Sequence, residues 1–245
     1  MPALVKDNGK KYGIDMCNGT ILKNMLLFSL PLMCSSILQL LFNEADIIVL
    51  GNLEGDEPLA AVGSNTALIN LLTNFFMGLS IGANVLVARY YGAKQEKDLT
   101  ETVHTAMLLS ICSGVILTLI GCVGSRAILV RMQTPDEILP LAIIYLRIYF
   151  LGMPAMMLYN FGSAILRAVG DTKRPLYYLS GAGVVNVILN LIFVICFKMG
   201  VAGVGLATVV SQCISACLIV RCMMKEEGGI RLELRQLHIY HDKFK

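Results

Sequence analysis

Six stretches of this chain stay apolar for about twenty residues or more, and that property limits its fold more than any other. A helix of about 20 residues crosses the roughly 30 Å of hydrocarbon in a bilayer. In lipid each backbone N–H and C=O needs a partner inside the protein, so runs of this length fold as helices. An outer-membrane barrel would instead show short segments of alternating polarity. The runs cover 25–51, 59–88, 104–125, 138–166, 175–197 and 203–224. The sequence therefore predicts an all-α integral membrane protein, a bundle of six transmembrane helices over 25–224. Polar segments lie on either side, at 1–24 and 225–245. Composition agrees: 56% of residues are hydrophobic and 15% charged, against about 25% charged in soluble domains.

Short polar connections separate the runs, and their charges predict an orientation. Most of the 20 lysines and arginines fall on the side that holds both termini. The opposite side has Arg126, Arg131 and Lys198, and Arg147 lies within a span. Positive charge collects on the cytoplasmic face, so both termini are expected there, in a multi-pass protein of the plasma (inner) membrane. The net charge of +3 then follows from topology and implies no nucleic-acid partner. Segment 1–24 lacks the apolar core and small-residue cleavage site of a secretory signal. The connection Gly170-DTKR-Pro175 is built as a turn. Gly170 can end one helix, Asp171 or Thr172 can cap the next, and Pro175 suits a first helical turn. Pro31 and Pro154 are expected to interrupt the first and fourth spans. Most of the eight cysteines sit within spans with no C-x-x-C pair, and read as small apolar packing residues.

Function is expected where polar groups enter the spans. Ser36, Gln39, Asn43 and Asp46 are spaced +3, +4, +3 and share one helix face. A carboxylate at membrane depth is costly and usually faces a bundle interior or a wet cavity. The other reading puts Asp46 at the outer end of its helix, among headgroups. The second span carries Thr66, Asn70, Thr73 and Asn74 at helical spacing, with Gly78-LSI-Gly82 as a small-residue seam. Gly183, Asn186 and Asn190 share a face on the fifth span, and Gly205, Thr208, Gln212 and Ser215 on the sixth. The glycines read as helix-packing positions. For Asn186, Asn190 and Thr208 two readings stand side by side: interhelical hydrogen bonds, worth about 0.6 kcal/mol each, or a hydrated site around Asp46. Oxygen donors of these kinds suit a hard cation, and the carboxylate alone can take a proton.

Arg147 reads as a snorkelling or structurally paired cation, with Glu44 as a candidate partner. His238 and His241 are two metal-type ligands on a polar tail, too few for a site. With no H-E-x-x-H, G-x-S-x-G or P-loop motif, no catalytic residue, metal site or cofactor is expected.

Several segments resemble one known family. Leu41-FNEADIIVLGNL, Leu59-AAVG and Gly78-LSIGANVLVARYYGA are similar to the first two spans of multidrug and toxic compound extrusion (MATE) transporters. Tyr145-LRIYFLGMP, Ile165-LRAVGDTKRP and Asn186-VILNLIFVICFKMGVAGVGLATVVSQ look like their fourth to sixth spans. The resemblance implies an antiporter that exports organic cations, drugs or metabolites in exchange for sodium ions or protons. It also implies a fold equivalent to the amino-terminal lobe of a twelve-helix protein. The tail then resembles the linker between lobes, and a second six-helix lobe, membrane lipid and a small-molecule substrate are the expected partners. By the same resemblance, Asp46, Asn186, Asn190 and Thr208 bind the coupling cation or proton. Gln39, Asn43, Asn70, Asn74 and Gln212 are expected to line the cavity. Many relatives carry a second aspartate where this chain has Asn190, which weakens a two-carboxyl proton relay and favours sodium or coupling through Asp46 alone. A lipid-linked flippase of the same superfamily, or a non-transporting scaffold or remnant half, are the competing functions. A flippase cavity would call for several cationic residues, and Arg147 is the one cation within a span.

Overall fold

Helices occupy all six apolar runs in the computed structural model, which describes residues 21–226 and 228–233. The first three are long: α1 Ile21–Glu54, α2 Asp56–Gly92 and α3 Glu96–Arg131. The fourth run holds two, α4 Leu139–Leu151 and α5 Met153–Ala168. α6 covers Lys173–Leu191 and runs into a π-helical turn, Ile192–Cys196. α7 covers Gly200–Met224, and a 3-10 turn follows at Gly228–Ile230. Residues 1–20 of the amino-terminal segment and 234–245 of the tail, with His238 and His241, lie outside the described residues.

The helices overrun the apolar stretches because charged residues prolong them. α3 begins at Glu96, with Glu96 and Asp98 in its first turn, where acidic groups favour the positive end of the helix dipole. Five helices, α6 being counted with its π turn, are long and apolar enough to cross a membrane, and α4 and α5 supply a sixth crossing as one bent pair.

The fourth span is interrupted beside Pro154, as its sequence leads one to expect. α4 and α5 meet at 45° around Gly152, and Pro154 lies at the start of α5. Pro154 has no N–H to offer the Phe150 carbonyl four residues earlier. Thr118 of α3 approaches that carbonyl instead, its hydroxyl 2.8 Å away. Three helices converge here. A Cβ on Gly114 of α3 would lie 2.4 Å from Pro154 Cα, and one on Gly152 would lie 2.8 Å from Gln212 Oε1 of α7. Pro31 behaves differently, since α1 runs through it unbroken.

α5 occupies the centre, packed against α2, α3 and α7, whereas α6 pairs with α7 and α1. Phe150, Phe161, Met153, Met157, Ile165 and Leu166 are fully buried around it. Lipid tails are as apolar as leucine, so helix association relies on close fit and on small residues at the contacts. Gly121 admits the Phe150 ring and Gly162 admits Ile219. Amides also tie helices together: Asn65 donates to the Ala142 carbonyl at 2.9 Å and Asn84 to that of Ala164 at 2.7 Å. The seam expected at Gly78 and Gly82 is not packed among the described residues. Both are exposed, with nothing within 4 Å of a Cβ.

The Gly170 turn forms as its residues dictate. Gly170 takes φ +91°, and Asp171, not Thr172, caps α6 by accepting the Arg174 backbone N–H at 3.1 Å. The Arg174 guanidinium pairs with both Asp171 and Glu226. Arg147 is exposed and donates to Ser125 Oγ at 3.1 Å, so the partner suggested at Glu44 is replaced by a hydroxyl of α3.

Candidate functional site

α1 makes one especially close approach to α6. The Phe42 ring covers Gly183 of α6, and a Cβ on that glycine would lie 1.9 Å from Phe42 Cε2. Only glycine leaves α6 bare enough for that ring. Asp46, one turn further along α1, is thereby brought against the polar faces of α6 and α7.

Four of the expected residues meet there. Asn190 Nδ2 donates to Asp46 Oδ1. Thr208 Oγ1 lies 3.4 Å from Asp46 Oδ2 and 3.0 Å from the Val204 carbonyl, two acceptors for one hydroxyl proton. Asn186 Nδ2 lies 3.4 Å from Thr208 Oγ1, and Asn186 Oδ1 is 3.4 Å from Asn190 Nδ2. Asn190 is fully buried, Asn186 nearly so, and Asp46 is half-buried. The carboxyl thus points at α6 and α7. The Asn190 side-chain oxygen is buried with no hydrogen-bond partner. Leaving a buried polar atom unsatisfied costs about 1–3 kcal/mol, so a carbonyl oxygen of this kind is suited to accept an additional ligand.

The remaining candidates separate from this cluster. Gln212 is half-buried one turn along α7 from Thr208, against the helix break at Gly152. Gln39 and Asn43 on α1, and Asn70 and Asn74 on α2, are exposed and take no part in the Asp46 cluster. Sequence reasoning missed two neighbours. A Cβ on Gly205, three residues before Thr208 on α7, would lie 3.4 Å from the Tyr145 ring, whose centroid is 5.9 Å from that of Tyr149. Their +4 spacing in the fourth span was the available signal.

Comparison with known proteins agrees with this architecture. The MatE family profile matches residues 31–192. The probable multidrug resistance protein YpnP of Bacillus subtilis is 32% identical over 198 residues, which cover 81% of this chain and 44% of YpnP. The multidrug export protein MepA of Staphylococcus aureus is 24% identical over 215 residues, 88% of this chain and 48% of MepA. Among solved structures, the outward-facing conformation of a multidrug resistance MATE family transporter of the MOP superfamily superposes with a TM-score of 0.87. Its identity is 27%, over 95% of this chain and 51% of that one. The chain spans about half the length of the relatives it matches. With its helices arranged as in one half of such a structure, this multi-pass membrane chain belongs to the MatE family of transporters.

Proposed function

We propose that the chain forms one six-helix lobe of a cation-coupled antiporter that exports organic cations, drugs or metabolites, and that Asp46 binds the coupling ion. One observation supports this above the others: a single carboxylate is held by Asn190 of α6 and Thr208 of α7, two helices other than its own. A charge at that depth is costly until an ion or proton neutralises it. Neutralisation at a point where three helices meet biases the balance between outward- and inward-open forms, provided the two forms bind the ion with different affinity.

Sodium is the ion we favour. Asp46, Thr208 and the amide oxygens of Asn186 and Asn190 are hard oxygen donors, and the Asn190 oxygen has no partner. A second carboxylate, which a two-acid proton relay needs, is lacking at position 190. The substrate path is proposed to run past Gln39, Asn43, Asn70 and Asn74 on the exposed polar faces, completed by a second six-helix lobe. We put both termini on the cytoplasmic side of the plasma membrane, a reading the lysine and arginine bias supports. Arg147 points to Ser125 at the periphery, which weighs against the cationic cavity of a lipid-linked flippase.

The test is Asp46→Asn in the chain joined to its second lobe, assayed for substrate efflux in vesicles under imposed sodium or proton gradients. Gradient-driven efflux is expected to vanish while the variant still inserts and folds. Undiminished coupling would remove Asp46 from the cycle. Efflux that follows a proton gradient with sodium absent would reassign the ion, and no efflux by the parent chain would favour the scaffold reading.

A further inference from the structure

The segment after α7 folds back onto the bundle. Glu226 is paired with Arg174, and the Leu232 backbone N–H donates to the Met223 carbonyl at 3.1 Å. Gly228, at φ +77°, makes the turn, and Ile230 and Leu232 are each only 3% exposed. Gly229 lies so close to α3 that a Cβ would be 2.9 Å from Leu99 Cδ2. At the far end the Glu233 backbone N–H donates to Nε2 of His104, at 3.1 Å.

His104 lies on α3 and is 2% exposed. Its Nδ1 is 2.8 Å from the Thr100 carbonyl oxygen. A carbonyl only accepts, so Nδ1 carries the proton. A backbone N–H only donates, so Nε2 is bare. Both bonds exist together only for neutral imidazole. We propose that Gly228–Glu233 is a strap docked on α3, and that His104 is the proton-sensitive residue that holds it there. A proton arriving at Nε2 would face the Glu233 N–H, remove its acceptor and bury a charge. Release of the strap therefore takes up a proton, and the docked fraction falls as pH falls.

Among the described residues, the other charged or titratable groups at this end of the packed elements include Arg221 and Lys225 of α7 and its C-cap. α3 itself carries Glu96, Lys97, Asp98 and Glu101. The strap brings Arg231 and Glu233, whose side chains pair at 3.7 Å. α2 contributes Arg89, Tyr90 and Tyr91, α5 contributes Arg167, and Glu226 after α7 is held by Arg174. Both His104 nitrogens are taken by backbone groups, which leaves imidazole protonation as the switch. The strap depends on nothing in the transport reading.

The experiment is backbone hydrogen exchange of the peptide covering 228–233, in the full chain in lipid nanodiscs, at about pH 8 and about pH 5.5, across the range where imidazole titrates. Each measurement is compared at the same pH with His104→Gln, which keeps an acceptor near the Nε2 position but does not titrate. The two proteins should exchange alike at the higher pH. At the lower pH the parent should exchange about fivefold faster, the factor carried by one ordinary hydrogen bond. His104→Ala should exchange fast at both. A parent-to-Gln ratio that does not change with pH overturns the proposal, as does an alanine variant as protected as the parent. Should His104→Gln not fold, Glu233→Pro serves instead. It lacks the donor, so its excess exchange over the parent must shrink on acidification, and a constant excess overturns the proposal.

Discussion

α1 and the α4–α5 pair each carry a proline, yet they solve opposite problems. In the most apolar window of α1 only 6% of residues are buried, and the helix passes Pro31 without a break. α5 is sheathed on several sides, and its chain breaks at Gly152, just before Pro154. Proline chemistry is the same in both. What differs is the surroundings: α3 presses its Gly114 backbone against Pro154, α7 presses Gln212 towards Gly152, and Thr118 offers a replacement hydrogen bond. A proline removes one bond, and neighbouring helices decide whether the helix bends there.

Gly114→Leu should have the largest effect on this contrast. Its side chain would drive into the Pro154 backbone, which cannot rotate away, so a loss of about 3 kcal/mol or more is expected. Thermal unfolding in detergent would show it, and a parent-like melt would mean the α3–α5 contact is loose. Gly183→Leu, which displaces Phe42, should cost about 1–2 kcal/mol. Hydrogen exchange should rise along α1 and stay unchanged in α5. Equal deprotection of both would mean that α1 is integral to the core. Thr118→Val strands the Phe150 carbonyl and should lower stability by about 1 kcal/mol, with the 45° bend kept. Pro31→Ala should be the mildest, within about 1 kcal/mol of the parent in a melt, because α1 already runs unbroken through that position. A large loss there would show that α1 needs its proline as α5 needs its own.

Much of this was legible in the sequence because lipid permits few alternatives. Apolar runs of bilayer length had to be helices, and helical spacing put Asn186 and Asn190 on one face. The meeting of these two with Asp46 and Thr208 followed once the resemblance ordered the helices. Less legible were features that depend on what a second helix does. The interruption at Pro154 was expected, but the size of the bend at Gly152 needed knowledge of Gly114 and Gln212. The π turn at Ile192–Cys196 left no mark in an apolar stretch. The strap was hidden by composition: Gly228–Glu233 reads as polar linker, and its two apolar residues find their socket only because α3 extends to Glu96. Gly78 and Gly82 erred the other way, since a small-residue pattern states that close approach is allowed, not which helix uses it.

The Phe42 ring seated on Gly183 would serve as a fulcrum for any motion of α1 on α6. A bulky group lodged between flanking side chains resists sliding along α6, yet a bare glycine surface beneath it offers little resistance to tilting. Any displacement of α1 relative to α6 should then be a see-saw, its two ends moving in opposite senses about residue 42. Asp46, only four residues from the pivot, would travel a short arc while the distant end near Leu22 sweeps a long one. Paired distance probes at the two ends of α1, each measured to α6, would register that opposition, and equal shifts of the same sign would exclude it.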